Sequence, residues 1–197
     1  MILIIIIIIV IIFFLNFNSC FNFCYRIIKD TGIGYYFYNK LSTHNIISSQ
    51  NQIMKNLWIG DYKSALNKEF LIKNNIKLII NCSKILDFTD LDNITKIRLS
   101  INDDRKQSSN QKMIELFPNV YNTIDNNLSN NKGVLVHCKA GMQRSATIVA
   151  LYLMKKFNMN FDKVKQIIRN KRQIVFRPFT NFIQPILYFQ NKFNNIK

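Results

Sequence analysis

One short stretch, residues 133–154, constrains the fold of this chain more than any other. It reads GVLVHCKAGMQRSATIVALYLM, in which two apolar runs flank a loop of small and polar residues. The first run has the length and β-branched content of a buried strand, and the second is long enough for a largely apolar helix. A strand that passes into a buried helix through so short a loop is typical of an α/β fold.

The surrounding sequence alternates between strand and helix patterns in the same way. Strands are predicted at 53–60, 77–83 and 95–101, and helices within 61–76 and along the apolar face from Met113 to Leu128. Two further helices follow, one capped by Asn160 and one that holds Pro185 in its first turn or at a kink. We therefore predict one α/β domain with a central, mostly parallel sheet flanked by helices.

The first 15 residues, MILIIIIIIVIIFFL, are uniformly apolar, and no charged side chain precedes Arg26. The apolar character continues to about 20 residues, the length that crosses a bilayer, and the basic residues that follow favour a cytosolic location for the rest of the chain. We expect a hydrophobic helix at 1–25, membrane association through residues 1–21, and a linker at 26–52. A cleaved signal peptide, or a true start near Met54 that leaves a soluble cytoplasmic protein, stays open.

The chain is strongly basic, with 27 Lys and Arg against 11 Asp and Glu and a formal charge of +16. This charge favours anionic partners, but it does not choose among phosphorylated proteins, phospholipid headgroups and nucleic acids. No basic stretch is interleaved with aromatic residues that would stack bases, so nucleic acid is not our first choice. The four cysteines and two histidines have no metal-ligand spacing, so we expect no metal and a reducing compartment.

The loop at the centre of the first stretch, Lys139–Arg144, has the composition of an anion-binding site. Backbone N–H groups of such a loop converge on an anion, and the positive end of the following helix adds to the attraction. The same field lowers the pKa of the preceding Cys138, whose thiolate is the reactive form. Arg144 can bind two phosphoryl oxygens, and Ser145 can donate to the sulfur. A core cysteine is the alternative for Cys138 alone, but the combined H-C-x5-R-S pattern favours a nucleophile.

The segment VLVHCKAGMQRSATIVALYLM resembles the signature of the cysteine-dependent protein tyrosine phosphatases, and its second half resembles their dual-specificity branch. The segments LWIGDYKSA, NNIKLIINCS and RPFTNFIQPILYF are similar to other parts of that branch, with Pro185 as a departure. The resemblance implies a dual-specificity phosphatase catalytic domain at 53–197. It also implies a hydrolase of phosphotyrosine and phosphoserine or phosphothreonine in proteins, without a cofactor.

The resemblance further implies a role for each residue around the loop. Cys138 would form a cysteinyl-phosphate intermediate, Arg144 would bind the phosphoryl oxygens, and Ser145 would assist breakdown of the intermediate. His137 would orient the loop and lower the thiol pKa. The substrate-binding residues would be Lys139, Ala140, Gly141, Met142, Gln143 and Arg144.

Two neighbouring aspartates are candidates for the general acid. In the family, this aspartate follows the strand that precedes the long helix. The segment LSINDDRKQ offers Asp103, with Asp104 beside it, and we expect Asp103. Cys82 ends the predicted strand 77–83, where several relatives hold a cysteine that forms a disulfide with the catalytic thiolate. A small buried hydrophobic residue is the alternative for Cys82.

Two other phosphatase functions would use the same residues. A phosphoinositide phosphatase is favoured by Lys139 and by a membrane anchor, although Met142 and Gln143 stand where lipid enzymes often hold further basic residues. An RNA 5′-phosphatase is favoured by the basic charge. A catalytically inactive phosphate-binding module would require the loss of Cys138 or Arg144, and both are present.

Overall fold

The computed structural model of the chain describes residues 48–194. The predicted hydrophobic helix 1–25 and residues 26–47 of the predicted linker lie outside this range. The strands are β1 (Gln50–Met54), β2 (Leu57–Gly60), β3 (Ile76–Asn81), β4 (Thr95–Arg98) and β5 (Gly133–His137). The helices are α1 (Tyr62–Leu66), α2 (Lys68–Lys73), α3 (Gln107–Ser129), α4 (Arg144–Phe157), α5 (Phe161–Lys171) and α6 (Ile183–Asn194).

The described strands form a single sheet in the order β1-β2-β5-β3-β4. Only β1 and β2 pair antiparallel, whereas β5 runs parallel to both of its neighbours, β2 and β3. All five residues of β5 are buried, as expected for a strand at the centre of a covered sheet. The predicted central, mostly parallel sheet is confirmed, and the loop after β5 opens at the middle of the edge where the parallel strands end.

The structure differs from the prediction at the start of the domain, where the segment 53–60 forms two strands instead of one. Asn56 has a φ of +64° in the turn between β1 and β2, a conformation that asparagine tolerates better than most residues. β1 begins at Gln50, inside the predicted linker, and Gln50 pairs with Gly60. Because β1 is an edge strand with mostly half-buried residues, its sequence is largely polar and does not alternate between apolar and polar residues.

Three of the described helices, α1, α2 and α5, begin at side-chain caps. The side chain of Asp61 accepts a hydrogen bond from Ser64 N at the start of α1, and that of Asn67 caps α2, so the segment 61–76 forms two short helices. Asn160 caps α5 as predicted. Pro185 lies in the first turn of α6, where its missing N–H leaves no helical hydrogen bond unmade.

Helices cover both faces of the sheet. On one face, every residue of α4 from Arg144 to Met154 is buried, and α3, α5 and α6 surround it in the larger hydrophobic cluster. On the other face, α1 and α2 contribute Ala65, Phe70 and Leu71 to a smaller cluster. The predicted arrangement of a sheet flanked by helices is therefore confirmed, and the loop between β5 and α4 is supported on both sides.

No helix within residues 48–194 has the length and apolar character needed to cross a membrane. The predicted helix 1–25, and the membrane association predicted through residues 1–21, fall outside the described residues. Both therefore stay predictions from the sequence.

Candidate active site

The loop from Cys138 to Gln143 joins β5 to α4 and packs against the end of β2. Gly141 has a φ of +66°, in the left-handed region that favours glycine. A Cβ atom at this position would lie 2.6 Å from Gly60 O, a contact between a carbon and a backbone oxygen that would force the loop to shift. Glycine therefore permits both the turn and the close approach of the loop to β2.

The thiol of Cys138 lies inside this loop and is 2% exposed. Gly141 N donates to Cys138 Sγ at 3.3 Å, and Ser145 Oγ donates to it at 3.4 Å. Burial raises the pKa of the thiol, and Asp103 raises it further, but the Arg144 guanidinium and the hydroxyl and backbone N–H of Ser145 outweigh both. The net pKa of Cys138 lies below its ordinary value, which favours the nucleophilic thiolate.

Arg144, the first residue of α4, is almost completely buried beside the thiol. Its Nη1 donates to Ile101 O at 3.2 Å, and its Nε lies 3.5 Å from Asp103 Oδ2 in an ion pair. The carbonyl of Ile101 therefore orients the guanidinium from a segment that is distant in sequence. The planar group is available for oxygens of an anion bound in the loop.

His137 is fully buried at the end of β5. Burial lowers its pKa to about 4, and the charges of Arg98 and Arg144 act in the same direction, although the backbone of Cys138 opposes them. The imidazole is therefore neutral near neutral pH and supplies no positive charge to the thiolate. Both predicted roles of His137, the orientation of the loop and the lowering of the thiol pKa, stay predictions.

The two neighbouring aspartates face different surroundings. Asp103 Oδ1 accepts a hydrogen bond from Asn181 Nδ2 at 2.7 Å, and its carboxylate lies beside Arg144. Asp104 instead accepts from Lys106 N at 3.1 Å, at the start of α3. Burial raises the pKa of Asp104, but hydrogen bonds from Ser109, Lys106 and Asn102 and the charge of Lys106 lower it overall. The structure thus brings Asp103, and not Asp104, to the thiol and the guanidinium.

A cavity of about 290 Å³ opens beside these groups. Its lining comes from segments 83–86 and 101–103 and from two residues of the loop and helix, Lys139 and Arg144. Arg98 fixes the first segment, because its guanidinium donates to Ser83 O at 3.2 Å and to Leu86 O at 2.6 Å. No sequence pattern marked segment 83–86 as part of the site, because its residues follow β3 without any motif.

Two carbonyl groups of the loop accept hydrogen bonds from Arg172, a buried arginine at the C-terminus of α5. Arg172 Nε donates to Gly141 O at 2.9 Å, and its Nη2 donates to Ala140 O at 3.0 Å. The Nη1 of the same residue donates to Ser48 O at 2.8 Å and to Asn51 Oδ1 at 2.7 Å. Nothing in the sequence distinguishes Arg172 from the other basic residues of its segment.

The next two loop residues contact the segment after α5. Met142 O accepts a hydrogen bond from Phe176 N at 2.9 Å. The buried side chain of Gln143 donates to Arg177 O and Phe179 O and accepts from Asn181 N, so it points toward residues 177–181. Lys139 lines the cavity, whereas the predicted contribution of Gln143 to substrate binding would have to come from its backbone.

Cys82 follows β3 and is fully buried. Its backbone N–H donates to His137 O at 2.9 Å, which links it to the end of β5. Burial raises the pKa of its thiol well above the ordinary value, and the nearby Cys138 adds to this effect, although Arg144 opposes it. Cys82 is therefore a neutral thiol beside an activated one. Its predicted redox role stays a prediction.

Comparisons with known proteins agree with this geometry. The family described as "Dual specificity phosphatase, catalytic domain" matches residues 57–192. The chain is 37% identical over 142 residues to "Putative tyrosine-protein phosphatase AMV078" of Amsacta moorei entomopoxvirus, covering 70% of this chain and 82% of that protein. It is 33% identical over 140 residues to dual specificity protein phosphatase 1B of Arabidopsis thaliana, covering 71% and 81%.

The fold is also similar to solved structures. The crystal structure of human DUSP28 superposes with a TM-score of 0.68 at 18% identity and covers 75% of this chain and 96% of that chain.

Within residues 48–194, no group of three or more His, Cys, Asp or Glu side chains is arranged to hold a metal ion.

An α/β sheet that carries an activated thiol and an arginine on the loop after its central strand defines the class of cysteine-dependent phosphatases. The chain belongs to the dual specificity phosphatase family. It is accordingly a cysteine-dependent protein phosphatase, as its resemblance to that family implied.

Proposed function

We propose that this phosphatase hydrolyses phosphotyrosine and phosphoserine or phosphothreonine in proteins through a cysteinyl-phosphate intermediate on Cys138. The observation that carries the proposal is the surroundings of the sulfur. Gly141 N and Ser145 Oγ donate to Cys138 Sγ at 3.3 and 3.4 Å, and the Arg144 guanidinium lowers the thiol pKa. The names of the relatives, a tyrosine-protein phosphatase and a dual specificity protein phosphatase, support both substrate types.

In the first step, the Cys138 thiolate attacks phosphorus, so that an S–P bond forms while the P–O bond to the leaving group breaks. The backbone N–H groups of the loop and the Arg144 guanidinium bind the three remaining phosphoryl oxygens, where negative charge concentrates in the transition state. Asp103 donates its proton to the leaving oxygen and becomes a carboxylate. The dephosphorylated side chain then leaves with its proton.

In the second step, water attacks the phosphorus of the intermediate and the S–P bond breaks. The Asp103 carboxylate takes a proton from this water, and inorganic phosphate is released. Ser145 Oγ already donates to Cys138 Sγ, so the hydroxyl stabilises the sulfur when it departs as a thiolate. The loop, Arg144 and Asp103 are thus ready for another substrate.

The test is hydrolysis of a chromogenic aryl phosphate by the purified chain. We expect Cys138→Ser to abolish turnover, since serine is not ionised near neutral pH, and we expect metal chelators to have no effect. Cys82→Ala is the matched control, because it removes the other described cysteine and leaves the sulfur that we assign as nucleophile. Turnover that survives Cys138→Ser would overturn the mechanism.

A phosphoinositide is the second candidate substrate, because Lys84 and Lys139 both line the cavity and would attract additional phosphate groups. Rates on a doubly phosphorylated peptide, a phosphoinositide and a triphosphorylated RNA separate the three phosphatase functions. We expect the peptide to be the best substrate. A preference for either of the other two of more than about tenfold, equivalent to 1.4 kcal/mol of transition-state binding, would reassign the function.

The cellular location of the enzyme is proposed from the sequence alone. We propose that residues 1–21 associate with a membrane and leave the catalytic domain in the cytosol, because their apolar run precedes the first basic residues. Fractionation of cells that express the full chain, or a chain that begins at Met54, tests this proposal. Membrane recovery of both forms, or of neither form, would contradict it.

A further inference from the structure

We propose that Asn181 is a positioning residue for the general acid: its amide N–H holds one oxygen of Asp103, so that the other oxygen carries the proton toward the leaving group. This inference rests on the proposed role of Asp103. Asn181 lies 78 positions further along the chain, and the two side chains meet beside the cavity. Asn181 lies in the segment RPFTNFIQPILYF, but the resemblance of that segment implied no role for it.

The two oxygens of Asp103 have different neighbours. Asn181 Nδ2 lies 2.7 Å from Oδ1, whereas Oδ2 lies 3.5 Å from Arg144 Nε. In a protonated carboxyl group, the carbonyl oxygen is the better acceptor, so the Asn181 amide selects Oδ1 as that oxygen. The proton then resides on Oδ2, the oxygen that faces Arg144, to which we assign the binding of the phosphoryl group.

Arg105 determines which way the Asn181 amide points. Arg105 Nε donates to Asn181 Oδ1 at 2.9 Å. A guanidinium has donors and no acceptor, so the amide oxygen must face Arg105 and the amide N–H must face Asp103. Arg105, which lies in the same loop as Asp103, therefore fixes the orientation of the Asn181 N–H toward Asp103.

Gln143 attaches this arrangement to the loop that holds the thiol. Asn181 N donates to Gln143 Oε1 at 3.1 Å, and Gln143 Nε2 donates to Phe179 O at 2.7 Å. The backbone that carries Asn181 is thus bound to the residue directly before Arg144. A continuous path of hydrogen bonds runs from the phosphate-binding loop through Gln143 and Asn181 to Asp103, and it sets the distance between nucleophile and acid.

The path has a direct consequence for the proton transfer. As the S–P bond to Cys138 forms and the P–O bond breaks, the proton on Asp103 Oδ2 moves to the leaving oxygen. Asp103 is left as a carboxylate, and the Asn181 N–H that it already accepts stabilises the new charge. In the second step the same oxygen receives a proton from the attacking water, so no other reactant is consumed.

The test compares a good and a poor leaving group, 4-nitrophenyl phosphate and phenyl phosphate, on the full chain. Asn181→Ala removes the donor, and Asn181→Leu removes it while preserving the size and branching of the side chain. We expect both variants to lose about tenfold in kcat/KM on phenyl phosphate and less than about twofold on 4-nitrophenyl phosphate, because a poor leaving group depends more on the acid.

The matched control is Asn127→Ala. Asn127 is half-buried like Asn181, but its amide donates to Thr123 O at 2.9 Å within α3 and not to Asp103. We expect it to change the ratio between the two substrates by less than about twofold. The thermal midpoint of each variant and the rate at which iodoacetamide alkylates Cys138 show that the fold and the loop are intact.

Asp103→Asn, alone and combined with Asn181→Ala, separates the inference from the proposed function. If Asn181 acts through Asp103, the double variant has the same rates as Asp103→Asn alone. An Asp103→Asn variant that slows both substrates equally overturns the assignment of the acid, and the role of Asn181 with it. If Asp103→Asn selectively slows hydrolysis of phenyl phosphate, the assignment of Asp103 as the general acid is upheld. In that case, Asn181 variants without this selectivity, or a further loss in the double variant, overturn the inference.

Discussion

The hydroxyl of Ser145 donates to the sulfur of Cys138 across 3.4 Å, from the second residue of α4 back to the residue that follows β5. Both residues are buried, so this contact is not exchanged with water. The hydroxyl is among the groups that lower the pKa of the thiol. One short loop thus brings a nucleophile and the donor that stabilises it as a leaving group into contact.

Replacing Ser145 with alanine should slow breakdown of the intermediate more than its formation. The variant should release one equivalent of nitrophenol in a burst before a slow steady state, because the departing thiolate has lost its donor. The pKa of Cys138 should rise, so the pH profile of its alkylation should move to higher pH. Ser64→Ala is the control, since that buried hydroxyl donates to Asp61 O and not to sulfur. A variant with unchanged alkylation and no burst would contradict the role of Ser145.

Replacing Arg144 with lysine should lower kcat/KM by about 10²–10³-fold, the usual effect of removing one preorganised donor from a transition-state site. Lysine keeps the positive charge but lacks the planar pair of donors that matches two phosphoryl oxygens. Steady-state kinetics on an aryl phosphate, with inorganic phosphate as a competitive inhibitor, measure the effect. Wild-type rates in Arg144→Lys would show that charge alone is sufficient and that bidentate binding is not used.

Replacing Arg172 with methionine should destabilise the domain and weaken anion binding together. The carbonyls of Ala140 and Gly141 would lose their donors, and each buried unsatisfied group costs about 1–3 kcal/mol. Urea unfolding measures the free energy of unfolding, and inhibition by inorganic phosphate measures anion binding by the loop. Arg172→Lys should recover part of both losses. If stability falls while phosphate inhibition stays at the wild-type value, Arg172 supports the fold and not the loop.

Acidification should destabilise the folded state through His137. Burial lowers the pKa of this residue from 6.5 to about 4, so the unfolded chain binds its proton more readily. The contribution is present in full above about pH 6.5 and is lost as the pH falls toward about 4, by about 3 kcal/mol in total. Free energies of unfolding in urea from about pH 7 to about pH 4 measure it. His137→Gln should give a flatter profile, and an equally steep profile would exclude His137 as the source.

Much of the fold was predictable because its units are local. The strand, loop and helix of residues 133–154 are contiguous, so their apolar runs identify them without knowledge of any partner. The cap Asn160 was predicted because it acts on a backbone group only three residues away, and Asp61 and Asn67, which were not predicted, cap their helices in the same way. β1 was missed because an edge strand stabilised by hydrogen bonds to β2 needs no apolar alternation.

The sequence by itself determined that Cys138, Arg144 and Ser145 lie together, since only six or seven residues of loop and helix turn separate them. Tertiary structure decided what surrounds them. The parallel order of β5, β3 and β4 brings the segment after β4 to the loop, where Asp103 lies beside Arg144 and Asp104 instead accepts from Lys106 N. Packing after α5 brings Arg172 and Asn181 to the same loop. Such contacts depend on sheet order and helix packing, and a linear pattern of residue types does not encode those distances.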